Sequence, residues 1–97
     1  MSGLRAAVIG VGMMGRNHAR VYSQIEEVEL VAVADVDVRA AQGVGDLYNC
    51  EYYTDYQELL DREKPDLVSL VVPTSLHCQL ALVIINRGVP LLIEKPI

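Results

Sequence analysis

Three glycines fall within six residues in the stretch VIGVGMMGRNHARV, at Gly10, Gly12 and Gly15. The spacing G-x-G-x-x-G suits a backbone that must come close to phosphate. The first glycine permits a sharp turn off a strand. The second lets the main chain approach a pyrophosphate with no Cβ in the way, and the third lets the next helix pack closely on the sheet. Met13 and Met14 fill the two positions between Gly12 and Gly15, so they share the helix start whose free amides and dipole favour an anion. Asp35 stands 20 residues beyond Gly15, at the end of a second apolar run. A carboxylate there accepts hydrogen bonds from an adenine ribose and repels a 2′-phosphate, which favours NAD over NADP. Arg39 is a nearby cation able to tolerate that phosphate. Asp37 either caps the segment VRAA or shares the ribose.

Two later stretches add polar groups. In VVPTSLH, Pro73 and Thr74 would line a crevice wall, and His77 would sit in the first turn of the next helix, as a cleft residue or a packing one. In IEKPI, Lys95 follows an apolar run. A lysine there could orient a substrate hydroxyl or help move its proton, or it could be an exposed residue of a turn. His18, one helical turn beyond the glycine loop, reads as structural.

Strand and helix patterns alternate along the chain and would position these residues. The runs Leu4–Ile9, Val28–Ala34, Glu51–Tyr53, Asp66–Val72 and Pro90–Glu94 predict five strands. Apolar residues recur at helical spacing from Met14 to Ile25. DVRAAQGVGDLY is a poorer helix, because Gly43 and Gly45 each cost about 1 kcal/mol relative to Ala. TDYQELLDREKP offers two capping boxes, Thr54 with Gln57 or Asp55 with Glu58, and should stop before Pro65. SLHCQLALVIINRG predicts a helix capped by Ser75, with Gly88 at its left-handed end. Strands alternating with helices predict an α/β fold, a doubly wound parallel sheet of order 3-2-1-4-5. Ligands bind such sheets where the strand order reverses, here between strands 1 and 4, beside GVGMMG and VPTSLH.

The chain has 97 residues, is 52% hydrophobic and carries a net charge of −5. That length suits one domain. With no cluster of Lys and Arg, nucleic acid is not an expected partner. No run reaches the roughly 20 apolar residues of a membrane span, and the N-terminus lacks a signal-peptide pattern. Cys50 and Cys78 show no metal spacing, and no metal site is expected. They read as reduced thiols of a cytoplasmic protein.

Together these residues resemble the N-terminal domain of the Gfo/Idh/MocA family, which includes glucose–fructose oxidoreductase and inositol 2-dehydrogenase. The likeness spans the chain and rests on the glycine loop, Asp35, YYTDYQELL, Pro73 with His77, RGVP and, most specifically, EKP at Glu94–Pro96. It implies a Rossmann-like NAD-binding domain over residues 1–97, incomplete at its C-terminal edge, with the substrate domain absent. It also implies that Lys95 contacts the reacting hydroxyl, that Glu94 lies near the nicotinamide ribose, and that the Pro73–His77 loop lines the cofactor cleft. Family members often have Asn where this chain has Thr74. The implied activity of the complete protein is hydride transfer between a nicotinamide cofactor and a secondary alcohol of a sugar, sugar nucleotide or cyclitol, with the fragment alone inactive. The alternatives are an amino-acid-pathway dehydrogenase or reductase, and a non-catalytic NAD-binding or protein-interaction module. The exposed edge of PLLIE predicts self-association.

Overall fold

The computed structural model describes residues 3–71 and 74–93, with the backbone alone at 13, 14, 74–78 and 91–93. In order, the elements are β1 (Leu4–Ile9), α1 (Met13–Gln24), β2 (Val28–Ala34), α2 (Val38–Tyr48), β3 (Glu51–Tyr53), α3 (Tyr56–Glu63), β4 (Leu67–Leu70), α4 (Thr74–Asn86) and β5 (Leu91–Ile93). The strands form one parallel sheet of order β3-β2-β1-β4-β5. The strand order thus reverses between β1 and β4, as expected.

Alternation along β1 divides the core into two layers. Ala7 and Ile9 face Leu59 and Leu60 of α3 and Ala81 and Ile84 of α4. Ala6 and Val8 face Ala19 and Tyr22 of α1 and Val44 of α2. Where a strand is buried on both faces it must be apolar, as in the Ala6–Ile9 part of β1 and the Val31–Ala34 part of β2, while Arg5 and Glu29 fall in the less buried starts of these strands. The alternation fails once. Val31 and Ala32 both belong to the α3–α4 layer, because the β1–β2 register slips by one residue between Ala6 and Ala7.

Local chemistry sets the helix ends. Asp37 caps α2, its carboxylate accepting from the amides of Arg39 and Ala40. Of the two candidate boxes, Asp55 is the residue that caps α3, accepting from the Gln57 amide. The left-handed residue after α4 is Gly88, at φ +75°, as the sequence predicts. Other boundaries differ from expectation. The β4 ladder ends at Leu70 and β5 begins at Leu91. Pro90 lacks an amide hydrogen, yet its carbonyl still accepts from the Val68 amide. α1 starts at Met13, one residue before the apolar spacing begins. Helix α4 starts at Thr74, which places the Ser75 backbone in its first turn. A side chain's capping preference is worth about 1 kcal/mol, too little to shorten a helix whose backbone can continue.

Opposite the strand ends, the chain ties itself together with charge. Arg5 of β1 donates to the Glu63 backbone carbonyl and to its carboxylate, while the other Glu63 oxygen accepts from the Tyr53 hydroxyl. An open cavity of about 480 Å³ lies at this end, between the tails of α3 and α4, with Lys64, Pro65, Arg87 and Val89 in its lining.

Candidate functional site

The β1–α1 turn is anchored on three sides. The Gly10 amide donates to the Ala34 carbonyl at 2.7 Å, and the Ile9 carbonyl accepts from the Val71 amide at 2.8 Å. The Val11 amide donates to Asp35 Oδ2 at 2.9 Å. Gly10 has φ +93°, a conformation that a side chain at Cβ would strain, and that is the turn expected of the first glycine. A Cβ on Gly15 would lie 1.8 Å from the Gly10 carbonyl oxygen, so only glycine lets α1 fold back onto its own turn.

Gly12 differs from both. It is the N-cap of α1, and a Cβ there would meet nothing within 4 Å. No side chain caps this helix and its first turn holds no acidic residue. The first amides of the helix, at the positive end of its dipole, therefore have no side-chain cap, beside a position that opens on empty space. That space is a cradle a side chain would fill, and a pyrophosphate fits its chemistry.

Asp35 follows β2 and flanks this turn. Oδ2 holds the Val11 amide and Oδ1 accepts from the Asp37 amide at 2.9 Å. Each oxygen keeps a further acceptor site, so the carboxylate can bind the loop and a diol together. Asp37 caps α2 through Oδ1, the first of its two possible uses.

The other expected site residues are placed less fully. Met13 and Met14 begin α1, and Thr74 and His77 fall in the first turn of α4, in each case by backbone alone. Pro73, Glu94 and Lys95 lie outside the described residues. The structure thus brings together Gly10, Gly12, Gly15 and Asp35. It adds the Val11 amide, which only the folded geometry reveals, since any residue type could supply it. His18 is seated by a hydrogen bond between its ring Nδ1 and the hydroxyl of buried Ser69. Among the described residues no group of His, Cys, Asp and Glu has the arrangement of a metal site.

The shifted titrations lie elsewhere. Burial, then Glu51 and Glu63, pushes the Cys50 thiol up to about 11. Burial, then the hydrogen bond to Glu63, pushes Tyr53 up to about 12. A free thiol held protonated is a poor nucleophile, so Cys50 is a packing residue.

A family model described as an oxidoreductase family with an NAD-binding Rossmann fold, Gfo/Idh/MocA, matches residues 4–97. The chain belongs to that family. Inositol 2-dehydrogenase 4 of Saccharopolyspora erythraea is 38% identical over 96 residues, which are 97% of this chain and 28% of that protein. UDP-N-acetylglucosamine 3-dehydrogenase of Acidithiobacillus ferrooxidans is 40% identical over 93 residues, 96% of this chain and 28% of that one. The crystal structure of GenD2 from gentamicin A biosynthesis, in complex with NAD, superposes with a TM-score of 0.93 at 30% identity, covering 99% of this chain and 28% of GenD2. The Gfo/Idh/MocA chain described here therefore spans a little over a quarter of the length of its relatives, and matches their NAD-binding Rossmann domain.

Proposed function

We propose that this chain is the cofactor-holding part of a Gfo/Idh/MocA dehydrogenase acting on a secondary alcohol of a sugar, sugar nucleotide or cyclitol. The carrying observation is the uncapped start of α1 at Gly12, open to the outside and flanked by Asp35. Related chains named as inositol and UDP-N-acetylglucosamine dehydrogenases support the substrate class. When bound, NAD supplies the hydride acceptor or donor. This chain's residues bind and orient it. The amides at Gly12, Met13 and Met14 hold the pyrophosphate, with Gly10 and Gly15 setting their direction. Asp35 accepts from the ribose hydroxyls while keeping the Val11 amide, and disfavours NADP by repelling a 2′-phosphate.

Pro73, Thr74 and His77 would form the wall across the crevice, with Glu94 beside the nicotinamide ribose. Lys95 would hold the substrate hydroxyl and help its proton leave. These assignments rest on the family resemblance. Residues 1–97 would form one dinucleotide-binding domain, with substrate positioning supplied by the part of the longer relatives' length that these residues do not span. Positioning provides much of a rate enhancement, so the chain alone should bind without turnover. A cytoplasmic setting, away from membranes and nucleic acid, completes the reading. No described helix is long and apolar enough to cross a membrane, and Cys50 is a free thiol.

Self-association is part of the same proposal. β5 is the outer strand of the described sheet, and Leu82 and Ile85 of α4 are each more than half exposed. An open strand edge beside apolar surface favours pairing with a second copy. Light scattering over a concentration series should show the mass rising, and a constant monomer mass would refute it. Fluorescence titration with NADH and NADPH tests the cofactor role, with tighter NADH binding expected. For Lys95, joining this domain to the remaining length of its own enzyme and comparing Lys95→Ala should show turnover lost and NADH affinity kept.

A further inference from the structure

Ser69 of β4 is a polar side chain wholly closed off from solvent, in a core that is otherwise apolar among the described residues. Its Oγ lies 2.5 Å from the Tyr22 hydroxyl and 3.0 Å from His18 Nδ1. His18 and Tyr22 are one turn apart on α1, and their rings meet edge to face with centroids 6.4 Å apart. Among the described residues, Ser69 is the sole partner of the Tyr22 hydroxyl, and these two rings are the sole partners of the Ser69 hydroxyl.

Two hydroxyl hydrogens must be placed in this buried group. If Tyr22 donates to Ser69 and Ser69 donates to Nδ1, both are used. If Nδ1 carries a proton, it donates to Ser69. Then either the Ser69 or the Tyr22 hydrogen has no acceptor, which a buried group tolerates poorly. Chemistry favours the same direction, since a phenol is the better donor and an alkanol the better acceptor. The tautomer of a histidine follows from the bond its ring nitrogen makes.

We propose that Tyr22 and Ser69 form a one-way hydroxyl relay that holds His18 with Nδ1 accepting and Nε2 protonated, and that this relay latches α1 onto β4. The latch matters because α1 begins with the amide cradle at Gly12, and β4 borders the point where strand order reverses. His18, Ser69 and Tyr22 are thus positioning residues. That second half rests on the cofactor role proposed above.

The test uses the 97-residue chain labelled with ¹⁵N. Long-range proton–nitrogen spectra at neutral pH, with His18 assigned by its loss in His18→Asn, should show Nε2 protonated and Nδ1 bare. A protonated Nδ1, or a mixture of tautomers, overturns the relay. Ser69→Ala should release the tautomer and weaken NADH binding about fivefold. His18→Asn keeps an acceptor at the Nδ1 position and should hold affinity within about twofold, where His18→Ala falls as far as Ser69→Ala. Unchanged NADH affinity in Ser69→Ala overturns the latch while leaving the relay standing. If the parent chain binds no NADH, the cofactor role fails and the latch with it, whereas the spectrum still decides the relay.

Discussion

Helices α1 and α2 leave the same edge of the sheet and begin in opposite ways. Asp37 closes the start of α2 by accepting from two of its first amides. Asp55 does the same for α3 with one amide. α1 begins at Gly12, with neither a capping side chain nor an acid in its first turn. Where the fold needs only a stable helix end, the chain supplies its own anion. Where a glycine replaces that anion, the same donors and dipole are left for an anion from outside. The difference between two adjacent helix starts, rather than the glycine motif by itself, marks the site.

The largest effect should come from closing the gap between α1 and its own turn. Gly15→Ala forces a Cβ to within 1.8 Å of the Gly10 carbonyl oxygen. It should cost about 3 kcal/mol of stability, read as a lower urea midpoint. A midpoint equal to the parent's would mean that the turn can open freely. Asp35→Asn is next. The amide oxygen can keep the Val11 amide and only the exposed bond from the Asp37 amide is given up, so the fold should survive, while NADH affinity falls about tenfold and the preference over NADPH narrows. Unchanged affinity would remove Asp35 from the ribose role.

Asp37→Ala sharpens the contrast from the other side. Losing a cap should cost about 1 kcal/mol and leave NADH affinity unaltered. Weaker binding in that variant would return Asp37 to the site. The smallest effect concerns alkaline pH. Cys50 and Tyr53 are held neutral in the fold, at about 11 and about 12 against ordinary values of 9.0 and 10.0. Raised acids contribute stability that is full below the unfolded pKa and is lost as pH climbs through the folded one. The urea midpoint should therefore decline between pH 9 and 12, and Cys50→Ala should flatten its first part. A midpoint flat over that range would contradict the burial of both groups.

Much of this was legible in the residues. β1 and β2 have the bounds the sequence indicates, because their inner residues are buried on both faces and leave a nearly unbroken apolar signal, and β3 has them as the short edge strand EYY. The outer strand boundaries were less legible. Asp66 and Pro90 each keep one backbone bond to a neighbouring strand, to the Arg5 carbonyl and from the Val68 amide, but neither has a register partner in the ladder, and pairing is a property of the neighbour as much as of the run. Gly45 reads in sequence as a cost to α2. In the fold it lies close against the chain entering β3, since a Cβ would meet the Cys50 carbonyl oxygen at 3.0 Å and Tyr52 Cβ at 3.2 Å. The second partner of Asp35 was hidden for a different reason. It is a backbone amide, and a backbone amide leaves no residue-type signature. Ser69 was hidden inside an apolar strand, where one hydroxyl does not alter the pattern but does need partners from α1.

Gly12→Asp tests the central claim most directly. It gives α1 the capping group that α2 and α3 already have, at a position where a Cβ meets nothing and φ is −70°. Thermal melting and NADH titration would be run on the parent and the variant together. The account predicts a melting temperature equal to or above the parent's, with NADH binding weakened at least about a hundredfold, because the new carboxylate occupies the phosphate cradle. A variant that melts like the parent and binds NADH as tightly would show that the open start of α1 is not where the cofactor is held.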